Sequence, residues 1–154
     1  MTFYSFDTSA FINGRRDMLR PTFLPGLWER VESMIAAGSI RSVDEVEREL
    51  SQQDDEIHRW AKAQAGLFVP IEVDVQRETR NILAEHPKLV GIGSGRSGAD
   101  PFVVALGRAR ADVVVTEETR RSIERPKIPD VCDAIGVRCI GLVDFVEEQG
   151  WTFR

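Results

Sequence analysis

A chain of 154 residues with 42% hydrophobic and 29% charged side chains has the size of one ordinary domain and enough apolar material for its own core. No run approaches the ~20 consecutive apolar residues of a membrane span, and the opening MTFYSFD lacks the basic and apolar regions of a secretory signal, so one soluble, cytoplasmic domain over residues 1–154 is expected. With 20 basic and 25 acidic residues, the net charge of −5 excludes a protein that holds nucleic acid through a broad basic field, and any such contact has to be local.

In chain order, residues 3–6 read as a strand that ends at Asp7, and residues 8–13 as a short helix closed by Gly14. A basic loop with Arg15, Arg16 and Arg20 follows, broken by Pro21 and Pro25. Apolar residues at Leu27, Trp28, Val31, Met34 and Ile35 recur at helical spacing over 25–37, and Gly38 supplies the stop. A weak second strand is expected at 39–41. Ser42 with Glu45 has the pattern of a capping box, opening a helix whose buried stripe is Val43, Val46 and Leu50. Another helix spans 54–65, with Ile57, Trp60, Ala61 and Gln64 on one face, and Gly66 ends it. Residues 67–73 form a third strand that Pro70 assigns to an edge, and 74–85 a helix stopped by Pro87.

The glycine cluster GIGSGRSG, residues 91–98, reads as a loop. Asp100 and Pro101 then open a helix with Phe102, Ala105, Leu106 and Ala109 on its inner face. DVVVT, 112–116, is an unbroken β-branched run of the kind that suits a parallel strand covered on both faces, and Glu117 and Glu118 follow it. A short helix at 129–135, a strand at 137–140 and a helix at 142–149 complete the chain, with Gly136 and Gly150 as stops. Strands alternating with helices imply a three-layer α/β/α fold around a mostly parallel sheet.

Open α/β folds put their chemistry at the carboxyl edge of the sheet. Asp7 and Glu118 each follow an expected strand, and Asp100 starts a helix that leads back into the sheet, so the three converge on that edge. Each has a plainer role available: Asp7 and Asp100 as helix caps, Glu118 as an exposed loop acid like its neighbour Glu117. Periodicity leaves a fourth acid open between Glu47 and Glu49, which flank the stripe of the same helix. Two carboxylates ~4 Å apart repel by about 4 kcal/mol at an effective dielectric near 20, so such a cluster favours a bound cation. Oxygen ligands without histidine or cysteine suit Mg²⁺ or Mn²⁺ rather than zinc. His58 and His86 carry no partner pattern and read as surface or packing residues; Cys132 and Cys139 read as buried thiols.

FDTSAF at the N-terminus, the acid before leucine in VEREL, ADPFVVALGRA and DVVVTEE occur in this order over nearly the whole chain. Together they resemble the PIN domain, and within it the VapC-type ribonuclease toxins or a close PIN-like subfamily. The resemblance selects Glu49 over Glu47 and implies a catalytic set of Asp7, Glu49, Asp100 and Glu118. Asp7, Asp100 and Glu118 are its metal ligands, with Thr8 and Thr116 as neighbouring hydroxyls that meet substrate. Glu118 stands where the family more often has Asp. The implied activity is endoribonuclease cleavage by a metal-activated water, leaving a 5′-phosphate and a 3′-hydroxyl. A homodimer and a small antitoxin partner are implied as well. Arg96 and the Arg15, Arg16 and Arg20 group are candidates for substrate phosphates.

Two other readings compete. GSGRSG, residues 93–98, is formally a GxGxxG with Glu117 at about the distance a dinucleotide-binding fold requires. Against it, Asp100 places a negative charge where the pyrophosphate would sit. The second is a PIN-like scaffold that binds RNA or protein without cutting, a reading favoured by the acidic balance and opposed by the complete set of acids.

Overall fold

The computed structural model describes residues 1–89 and 98–153. The glycine loop with Arg96, and the GxGxxG up to Ser97, lie outside the described residues. β1 (Tyr4–Phe6) is fully buried, and its alternation sorts the two faces of the sheet. Tyr4 and Phe6 turn to one side, where both meet Phe145 edge-on at 4.9 and 5.2 Å and Phe6 meets Phe11 at 5.3 Å. Ser5 turns to the other and donates its hydroxyl to the Val103 carbonyl at 3.3 Å.

Parallel pairing joins β1 to β2 (Ile40–Val43) and to β4 (Val113–Val115), and adds β3 (Phe68–Val69) and β5 (Cys139–Ile140) outside them. The order is β3-β2-β1-β4-β5, with β3 at the edge that Pro70 suggested. The helices among the described residues are α1 (Thr8–Ile12), α2 (Pro25–Ala36), α3 (Asp44–Gln53), α4 (Asp55–Lys62), α5 (Val73–Glu85), α6 (Asp100–Arg110), α7 (Ile128–Ile135) and α8 (Leu142–Gln149). Through Phe11 and Phe145, α1 and α8 cover the Tyr4 and Phe6 face; α6 crosses β1, β2 and β4 on the Ser5 face, with α5 packed outside it. The result is the expected three-layer α/β/α arrangement around an all-parallel sheet. No helix among the described residues is long and apolar enough to cross a membrane.

Several local expectations are corrected. Ser42 does not cap a helix: it lies in β2, its hydroxyl donates to the Phe6 carbonyl at 2.8 Å, and α3 begins only at Asp44. Gly14 does not end α1, because a π-helical turn over Asn13–Met18 carries the chain on. A Cβ there would lie 2.6 Å from Leu142 Cδ2 and 3.2 Å from the Trp28 ring, so close approach rather than termination explains the glycine. Arg15 is not a free loop cation, since its guanidinium stacks on Trp60 at 4.0 Å and on Trp28 at 4.9 Å. Cys132 is buried, whereas Cys139 is only half-buried; a hydrogen bond with Cys139, together with burial, pushes the Cys132 thiol well above its usual range.

From β1 the chain winds outward to β2 and β3, then returns across β1 to build β4 and β5. The direction therefore reverses between β1 and β4, and the crevice at their carboxyl ends is the topological switch point.

Candidate metal centre at the carboxyl edge of the sheet

Asp7 extends β1 by one residue, its amide donating to the Val115 carbonyl at 2.9 Å, so the backbone ladder fixes the side chain at the mouth of the crevice. It is only 2% exposed. Its Oδ2 accepts from Ser9 Oγ at 2.7 Å and from Thr116 Oγ1 at 2.9 Å. Burial raises the pKa of Asp7, and the two hydroxyls act in the opposite sense by stabilising the anion. Thr116 accepts in turn from the Glu118 amide at 3.1 Å, and Ser9 from the Glu117 amide at 3.0 Å. The segment after β4 is thereby tied to the segment after β1.

One oxygen each from Asp7, Asp100 and Glu118 lie within 4.8 Å of one another. Asp100 is buried in the first turn of α6, following Ala99 at the cap position rather than capping the helix itself. Glu118 is half-buried, and its Oε1 receives the Ile128 amide at the start of α7, at 3.4 Å. Glu117 is not an exposed loop acid: its Oε1 accepts from the Leu142 amide at 2.6 Å and caps α8.

Glu49 lines the same pocket and is buried, while Glu47 faces His58 at 3.8 Å. Glu49 is not among the three clustered acids. Its Oε1 accepts from Thr8 Oγ1 at 2.5 Å and its Oε2 from the Ala99 amide at 3.2 Å, which joins the start of α1 to the start of α6. Burial raises its pKa too. The hydroxyls of Thr8 and Thr116 donate to Glu49 and Asp7.

The acids line a pocket of about 270 Å³. Three carboxylates from three segments, two buried and one half-buried, form an oxygen-only donor set that fits a hard divalent cation. Sequence reasoning missed Lys127, which carries no motif, and did not single out Ser9, which lies inside FDTSAF. His86 ends α5, away from the pocket lining.

A family model described as a domain of unknown function (DUF4411) matches residues 4–153. No curated protein sequence matches the chain significantly. Among solved structures, FitAcB from Neisseria gonorrhoeae is similar with a TM-score of 0.54 and 14% identity, over 90% of this chain and 96% of that one. At that identity the likeness is one of fold.

Proposed function

The chain belongs to the DUF4411 family, and on this scaffold we propose a divalent-metal-dependent endoribonuclease. The observation that carries the reading is the convergence of Asp7, Asp100 and Glu118 oxygens within 4.8 Å at the switch point of a parallel sheet. These three hold the ion. Bound Mg²⁺ or Mn²⁺ supplies a polarised water and neutralises charge on the scissile phosphate. Ser9 and Thr116 keep Asp7 oriented and favour its anion. Glu49 fixes the distance between the segments that carry Asp7 and Asp100, through Thr8 and Ala99. No side-chain nucleophile is required.

The resemblance to VapC-type toxins supports a finer reading: a cytoplasmic toxin, acting as a homodimer and inhibited by a small antitoxin. Purified wild type and Asp7→Asn, incubated with single-stranded RNA and Mn²⁺ with and without chelator, test the activity. Only the wild type should cut, and only without chelator. Equal cutting by both proteins, or cutting indifferent to chelator, removes the mechanism. Asp100→Asn should lose cleavage while keeping the wild-type circular dichroism spectrum.

A further inference from the structure

The acidic pocket has a second set of residues that the metal centre does not use. Arg16, on the π-helical turn after α1, and Lys127, at the start of α7, are the basic side chains that line it among the described residues. Among the described residues neither forms an ion pair with a pocket acid: Arg16 pairs with the exposed Asp17 at 3.7 Å, and Lys127 has no ion pair there. They are therefore not spent on holding the carboxylates. Their positions follow from elements that also place acids, since Arg16 continues the helix that Asp7 precedes and Lys127 adjoins the Ile128 amide bonded to Glu118.

We infer that Arg16 and Lys127 are the phosphate grips of a single-stranded polynucleotide, binding backbone phosphates on either side of the one at the metal centre. The inference rests on the reading of the pocket as a nuclease site. On a chain of net charge −5 a polyanion gains no help from the field of the whole molecule and depends on local cations. Arg16 offers a fork of donors to phosphate oxygens, and Lys127 a compact charge.

The test uses the full chain, a fluorescein-labelled single-stranded oligoribonucleotide, and Ca²⁺ in place of Mn²⁺, with the probe checked for integrity on a gel. Anisotropy titrations over a series of KCl concentrations give the slope of log Kd against log salt. Arg16→Gln and Lys127→Gln should each flatten that slope by about 0.7, and the double variant by about 1.4. Arg16→Lys and Lys127→Arg should keep the wild-type slope. Slopes unchanged in the Gln variants, or a wild type that does not bind the probe, overturn the inference. If RNA is cut in a metal-dependent way by every variant with unchanged KM and slope, the grips alone are wrong. If the slopes change as stated but Asp7→Asn cuts as well as the wild type, the grips stand and the metal mechanism falls.

Discussion

Asp7 is kept ionisable by hydroxyls in a place where burial opposes its charge, and that conflict has a measurable sign. Its folded pKa is raised, so the folded state binds the proton more tightly than the unfolded one. The associated stability is present below the unfolded pKa and is lost as pH rises through the folded pKa. In chelator, Asp7→Asn, which has no charge to desolvate, should therefore gain on the wild type in urea midpoint over the pH range above about 4, where the unfolded carboxyl ionises. A midpoint difference that is flat across this range contradicts the burial effect. Glu49 separates a clamp from a ligand. Glu49→Ala removes the acceptor of the buried Thr8 hydroxyl, at a cost of about 1–3 kcal/mol. Glu49→Gln can accept from Ala99 and donate to Thr8, so urea unfolding should show a smaller loss, and an equal loss in both variants argues against the clamp. Asp7 was legible because an acid directly after an apolar strand has few structural uses. Glu49 was not legible from periodicity, since Glu47 flanks the same stripe, and Lys127 sits in a loop where nothing in the sequence marks a pocket.

At the scale of elements, the errors share a cause: a local pattern was outcompeted by a tertiary contact. Ser42 and Glu45 have the spacing of a capping box, yet pairing with β3 holds Ser42 in β2, and its hydroxyl donates to the Phe6 carbonyl. Gly14 resembles a helix stop, but the space it vacates is filled by Leu142 and Trp28. The order and kind of the elements survive these errors, because β-branched runs such as Val113–Val115 and helical stripes such as Leu27, Val31 and Ile35 are set by burial over many residues. Gly107 in α6 gives the corresponding prediction. Glycine to alanine in a helix ordinarily stabilises by about 1 kcal/mol. Here the new Cβ would lie 2.8 Å from Val114 Cγ2 and 3.3 Å from the Asp112 carbonyl, so Gly107→Ala should destabilise by about 1–3 kcal/mol in urea unfolding. A stabilised variant would show that α6 and β4 can separate at little cost.

Across the whole molecule, one reversal of winding direction collects the chemistry. β1 delivers Asp7, the segment after β4 delivers Thr116 and Glu118, and α6, returning toward β4, delivers Asp100, so residues far apart in sequence share one crevice. That convergence was predictable from the alternation of strands and helices; the side-chain bonds that tie Ser9, Thr8 and Ala99 to the acids were not, since they depend on register and rotamer. Calorimetric titration of Mn²⁺ into the wild type, Asp100→Asn and Glu118→Gln measures the central claim directly, without substrate. The wild type should bind the ion, and both variants should bind it at least tenfold more weakly. Equal affinity in all three proteins would mean that these carboxylates do not form a metal site.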